Sequence, residues 1–226
     1  MPRPRPARPA PTPRELSDLP YADFLQPFEG ALGREENLDT VHLDGRTFEE
    51  TDAGGSQFTE SALSSVTFTE GRLRKARFAD VWMDAVRWVA TDLAETNWID
   101  VEVNTSSLAG LQLFSAQLRR VVFFHCKLDS VNLRAAALRD VAFVDCVLRD
   151  VDFGGATLNG ITFPGSTLEG VRFGKARLTK VDFRQTQRLS IAEGLDSLSG
   201  ATISTLQLME LAPALAHSYG ITVTDA

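Results

Sequence analysis

From Phe58 to Phe183 every fifth residue is large and apolar, without a gap. The series runs Phe58, Leu63, Phe68, Leu73, Phe78, Met83 and so on to Leu168, Phe173, Leu178 and Phe183, filling 26 positions of 26. A chain that is 43% hydrophobic would fill about 11 of them by chance. An α-helix turns through about 500° in five residues, so successive members would point about 140° apart and share no face. A straight strand alternates its side chains, so an odd period would send neighbours to opposite sides. The chain must therefore bend once in each quintet, turning every large side chain toward a common axis. That predicts an all-β solenoid of short straight runs joined by turns.

Two residues before each large position there is usually a small one, as at Ala76, Val81, Val86, Val131, Ala136, Val141, Val151, Ala156 and Ile161. Residues i and i−2 share a face of an extended run. Both then point inward, and the other three of each quintet, mostly polar, point out. A longer period sets the cross-section. From Phe143 to Phe183 the large residue alternates between Phe and Leu. A triangular coil would stack Phe on Leu, whereas a square coil of four quintets puts Phe143, Phe163 and Phe183 in one column and Leu148 and Leu168 in the next. Four sides are therefore expected. In the N-terminal half Phe58, Phe68, Phe78, Trp88 and Trp98 fall on the other pair of faces, a packing change inside one rod.

The quintets Val151-Asp152-Phe153-Gly154-Gly155, Ala156-Thr157-Leu158-Asn159-Gly160 and Val131-Asn132-Leu133-Arg134-Ala135 resemble the pentapeptide-repeat family. Its pattern is a small residue, a polar one, Leu or Phe, then two polar ones. The resemblance implies a right-handed quadrilateral β-helix. About seven coils, at about 4.8 Å each, make a rod of roughly 34 Å. Trp82 and Val122 depart from the pattern, standing where the family has Asn or Asp.

The organisation expected from this is one domain with tails. Residues 1–19 are a disordered Pro/Arg-rich leader, and residues 20–45 are an N-terminal cap that covers the first coil with Phe24, Leu25, Phe28, Leu32 and Leu38. Residues 46–186 are the β-helix. Residues 187–203 are a loop and last partial coil, because Arg188 and Glu193 fall at inward positions. Residues 204–226 are a short helical cap. Ser204 and Gln207 form a capping-box pair, Pro213 predicts a kink or a second short helix, Gly220 stops it, and Ile221 to Val223 suit a strand.

The net charge is −7. No run of 18 apolar residues predicts a membrane span, and the leader lacks the apolar centre of a secretory signal. Cys126 and Cys146, the only cysteines, stand one square coil apart and both point inward. Stacked parallel side chains suit a disulfide poorly, so two reduced thiols in a cytoplasmic protein are expected. His42, His125 and His217 are far apart in sequence, with His125 stacked over Asp145 as a solvated pair. No nucleophile, phosphate loop or metal-ligand set emerges. The chain reads as a non-enzyme without cofactor or metal.

Function is sought on the surface. Residues 34–105 hold 15 acids and 7 bases, and residues 106–185 hold 7 acids and 11 bases. Glu60, Asp80 and Asp100 form one acidic column. Val122, Phe124, Val144 and Pro164, with Ala142, form an outward apolar strip, a candidate protein-binding surface. The cap residues Leu206, Met209, Leu215 and Tyr219 are candidate dimer contacts, which the resemblance supports, since topoisomerase-acting members dimerise through this end. The first reading is a non-catalytic scaffold that binds a protein partner, with no direct nucleic-acid binding, the cap residues offering a route to a homodimer. The second, carried by the resemblance, is a DNA-mimicking modulator of DNA gyrase that confers drug or toxin resistance, with Glu60, Asp80 and Asp100 as the mimic row.

Overall fold

A computed structural model describes residues 11–224. The backbone corners at every fifth residue. From Glu35 to Lys180, each fifth residue has φ between +45° and +76°, and 23 of these 30 corners are not glycine. The left-handed corner turns the chain, and its N–H then points to the neighbouring coil. Glu60 N donates to Ala79 O at 3.0 Å, and Asp100 N donates to Arg119 O at 3.1 Å.

Four corners close one square coil, and the coils stack in parallel register. Face 1 is an eight-stranded sheet running from Asn37–Asp39 to Arg177–Thr179. Face 2 has seven strands, ending at Ala142–Val144. Face 3 has eight, from Thr47–Glu49 to Arg188–Glu193. Face 4 is a ladder of single bridges through Asp52, Arg72, Asp92, Gln112, Asn132, Asp152 and Arg172. Phe58 pairs with Phe78, Phe123 with Phe143, and Leu148 with Leu168. The square period read from the Phe/Leu alternation is the observed one.

Inside, like residues stack. Phe123, Phe143, Phe163 and Phe183 form a column behind face 2, with ring centroids 4.9 to 5.3 Å apart. In the N-terminal half the columns Phe48–Phe68–Trp88 and Phe58–Phe78–Trp98 occupy faces 3 and 1. Cys126 and Cys146 are buried free thiols. Their hydrogen bond, then burial, pushes the Cys146 thiol up.

The solenoid has about eight turns instead of seven, because it is longer at both ends. At the front, Asn37 already pairs with Gln57 and Leu38 with Phe58, so residues 37–45 belong to the coil and not to a cap. Phe28 and Leu32 do pack on the first coil, but Phe24 is 67% exposed. At the back, Arg188–Glu193 is a strand and not a loop. Leu168 pairs with Leu189, so one inserted residue moves the inward place from Arg188 to buried Leu189. Gly194 then crosses the preceding coil so closely that a Cβ would lie 2.3 Å from the Phe173 carbonyl carbon.

Helix α1, Thr205–Ser218, closes the open end. Ser204 and Gln207 make the capping box. Gln207 also donates from Nε2 to Phe183 O at 2.7 Å, so the same side chain starts the helix and ties it to the last coil. Pro213 lies inside one continuous helix, not at the start of a second. Its missing N–H leaves one helical bond unmade, which packing of Leu211 and Leu215 on the core offsets. Residues 221–223 are not a strand.

Removing one ring from a stacked column should leave a cavity between rigid neighbours. Phe143→Ala is expected to lose about 3–5 kcal/mol of unfolding free energy in denaturant titration, whereas Thr157→Ala, on the outside of face 1, should change it by under about 0.5 kcal/mol.

Candidate functional site

The expected apolar strip on face 2 offers little free surface. Phe124 is 1% exposed and Val144 6%, Pro164 is buried, and Val122 is half-buried. The physical reason lies in the register. Phe124 pairs with Asn104 on one side and Val144 on the other, so its ring is flanked by side chains about 4.8 Å away in both directions. A residue that points away from the axis is thereby covered by its own column.

The acidic column has a setting that the sequence reading missed. Residues 14–28 run along the outside of face 2 as a strap, opposite to the direction of coil growth. Arg14 lies at the fourth coil. Short 3-10 turns at Leu16–Asp18 and Ala22–Phe24 follow, and Gln26–Pro27 adds as a strand beside Val41 and His42. Leu19 and Tyr21 cover Ala62 and Trp82. Residues 14–19 are therefore ordered and packed, in contrast to the expected disordered leader; residues 1–10 lie outside the described residues. Trp82, the departure noted in the repeat, is the strap's main apolar anchor, and its indole N–H donates to Arg14 O at 3.1 Å. The corner beside it is undisturbed, with Ala85 at φ +53°.

Arg14 is held by Glu102, which is buried apart from 6% of its surface. The carboxylate accepts from the Arg14 backbone N–H and from Nε, both at 2.7 Å, and from Asn104 Nδ2 at 3.1 Å. Arg14 and Tyr21 wall a small hollow of about 130 Å³ with Glu60, Asp80 and Asp100. Burial, followed by the Asp100 charge, pushes the Asp80 carboxyl up. Asp100 is held below its ordinary range by the Arg120 guanidinium, which grips it with two hydrogen bonds. Burial pushes the Tyr21 hydroxyl up, with Arg14 acting the other way. The three carboxylates stand in one row, and two arginines bracket it.

The cap presents the opposite chemistry. Leu206 is 64% exposed, Met209 61% and Tyr219 77%. Leu215, expected among the dimer contacts, faces the other way and packs on the core. Leu208, Ile221 and Val223, which the sequence reading did not single out, are also exposed.

His125 and Asp145 are both exposed on successive coils, and no ion pair joins them among the described residues. Within the same residues, no group of three His, Cys, Asp or Glu side chains is placed to hold a metal, and no helix is long and apolar enough to cross a membrane. Surface hollows of about 130 to 500 Å³ are lined by charged side chains, several of them paired, as Arg134 is with Asp152. One, floored by Gly54 and Gly55, holds Arg34 against Asp52 at 3.1 Å.

Residues 96–173 match the family description "Pentapeptide repeat region". No curated protein matches the chain. Among solved structures, a trypsin-treated variant of QnrB1, a plasmid-mediated fluoroquinolone resistance protein, is similar at 17% identity and TM-score 0.42. That match covers 83% of this chain and 100% of the other. HetL, a pentapeptide repeat protein involved in heterocyst differentiation regulation in the cyanobacterium Nostoc, is similar at 20% identity and TM-score 0.28, covering 75% and 90%. A pentapeptide repeat protein of the Arabidopsis thaliana thylakoid lumen is similar at 22% identity and TM-score 0.36, covering 54% and 71%.

One ion pair fastens the Arg14 end of the strap. Arg14→Ala leaves the Glu102 carboxylate buried without its counter-charge, at an expected cost of about 1–3 kcal/mol. The Gln26 and Phe28 amides, bonded to Thr40 O and His42 O, should then exchange with solvent deuterium faster, while the coil amides keep their protection.

Proposed function

We propose that this pentapeptide-repeat solenoid is a non-catalytic, protein-binding scaffold, and that two copies join end to end through the outer surface of the cap. One observation carries the reading. Of the eight large hydrophobic side chains exposed among the described residues, six lie at or beyond Leu206. Helix α1 reads Thr-Leu-Gln-Leu-Met-Glu-Leu-Ala-Pro-Ala-Leu-Ala-His-Ser and is apolar on both sides. A helix of that kind belongs between two surfaces. The last coil is one of them, and a second cap is the other. The contact sits at the end of the rod, so a two-fold pairing there obstructs none of the four faces, and those the strap leaves open can take a partner. Cys126 and Cys146 as unlinked thiols go with a cytoplasmic setting.

Charge supports this reading over DNA mimicry. Duplex DNA carries one negative charge per about 1.7 Å. Here the column offers one carboxylate per coil, about 4.8 Å apart. Arg120 takes up Asp100, and the coils beyond it turn basic.

Leu206→Glu/Met209→Glu should convert a particle of twice the chain mass into one of a single chain mass in light scattering at high salt, with unchanged circular dichroism. Wild-type protein that runs as a single chain at tens of micromolar (about 50 µM, where contacts of ordinary size persist) would overturn the cap contact. Purified gyrase should supercoil DNA at an unchanged rate in the presence of the protein. Inhibition, or protection from a drug, would favour the mimic instead.

A further inference from the structure

Face 1 is a sheet of eight paired strands that no other element covers among the described residues, and its charge is divided by position along the rod. Its first four coils, with the corner that follows each strand, carry Asp39, Glu60, Asp80 and Asp100 against Arg77 alone. Its last four carry Arg119, Arg120, Arg139, Arg177 and Lys180 against Asp140 alone. All of these but Asp100 are exposed. Two ion pairs among the described residues use them. Arg120 holds Asp100 across the seam between the halves, and Arg139 lies 3.6 Å from Asp140. The seam itself is uncharged on the sheet apart from Arg119, with Asn97, half-buried Ile99 and Gln117.

We propose that face 1 is self-complementary, and that two copies of this chain pair across it with their rods antiparallel. A two-fold axis lying in the face, parallel to the strands at the seam, sets the first coil of one copy against the eighth of the other and the third against the sixth. Asp39 then meets the coil of Arg177 and Lys180. Asp80 meets the coil of Arg139, and Asp100 meets that of Arg119 and Arg120. Arg77 and Asp140, which share the facing third and sixth coils with Asp80 and Arg139, are misfits, and Glu60 meets the uncharged seventh coil, Thr157–Asn159 with Gly160. A nucleic acid or other polyanion would gain only the basic half, and the acidic half and the net charge of −7 would repel it. A second copy satisfies both halves at once. The isologous contact is closed by symmetry. It covers roughly 35 by 15 Å, about 1,000 Å² in total over both copies, the low end for specific association. Charge therefore supplies most of the attraction, and salt weakens it. The contact is independent of the apolar cap. A chain that uses both contacts builds particles larger than a dimer at low salt and keeps only the cap contact at high salt.

The test uses the full chain carrying Leu206→Glu/Met209→Glu, which removes the cap contact. Sedimentation velocity should show a dimer at about 25 mM salt and a monomer at about 500 mM, a fall in association constant of roughly tenfold or more. Added to that chain, Asp39→Lys/Glu60→Lys makes the face strongly net basic, with eight basic groups against three acidic, and Arg119→Glu/Arg177→Glu makes it net acidic, with seven acidic against four basic. Each should be monomeric alone at low salt, and the two should form a heterodimer when mixed. If the cap substitutions unfold the chain, the same charge swaps are made in wild type, where the low-salt particle should shrink to the cap dimer and grow again on mixing. A parent that stays monomeric at low salt, a charge-swapped chain that still self-pairs, or a mixture that fails to combine would each overturn the proposal. So would saturable binding of heparin to the basic half in place of self-pairing.

Discussion

The molecule rests on one recurring backbone event, the left-handed corner at every fifth residue. For most residue types this conformation costs about 1–2 kcal/mol, and 23 corners between Glu35 and Lys180 bear a side chain. No single quintet could hold such a corner alone. What holds it is the neighbouring coil. The corner N–H finds a carbonyl there, and the large side chain two residues earlier stacks on its counterpart about 4.8 Å away. Each coil is thus stable only as part of a stack, which is why the two ends need different solutions. The front is sealed by Phe28 and Leu32, and the back by Leu211 and Leu215 of the helix.

This interdependence explains what could be read from the sequence. A period of five leaves one geometric option, and the alternation of Phe143, Leu148, Phe153 and Leu158 selects four sides because unlike volumes stack badly in register. The capping box at Ser204 and Gln207 was legible for the same local reason. Where the pattern says nothing, the reading went astray. The insertion before Leu189 shifts the frame by one, and a periodic template takes a shift for a break. The strap has no period at all. Its trace in the sequence is Trp82, an indole at a position that should face water, with Glu102 one coil further on the same outward column. The two together ask for a cover that carries a cation, and Arg14 supplies it. Phe124 misled in the opposite sense, because quintet position indicates direction and not exposure. A wide ring in a column with Asn104 and Val144 is covered although it points outward.

In-register stacking also governs the surface. Every outward position recurs one coil away, so a charge meets the residue one repeat further on before it meets anything else. Face 4 answers this by alternation, with Asp52, Arg72 and Asp92 on successive coils and Arg34, Arg74 and Arg134 reaching diagonally to carboxylates. The Glu60, Asp80 and Asp100 column does not alternate. Repulsion along it is relieved from two sides, by Arg120 on the next coil and by Arg14 of the strap. The strap therefore has an electrostatic role as well as an apolar one, which ties the Arg14–Glu102 pair to the acidic row beside it.

A rod built this way separates its fold from its surface chemistry. The two inward residues and the corner specify each quintet, while the outward ones are constrained only by their neighbours in the column. Unlike charges can then be gathered toward opposite ends of one face at little cost in stability, since contacts between distant coils are absent and no unlike pair has to be broken. Face 1 shows that separation, and the cap shows the complementary case, apolar residues gathered where the column has no further coil to cover them. Both features lie outside the demands of the quintet. A helix serving only as a plug would need Leu211, Leu215 and Gln207 and could be polar elsewhere. Leu206, Met209 and Tyr219 are surplus to that task, and the physical cost of holding such side chains in water is the argument that something else covers them.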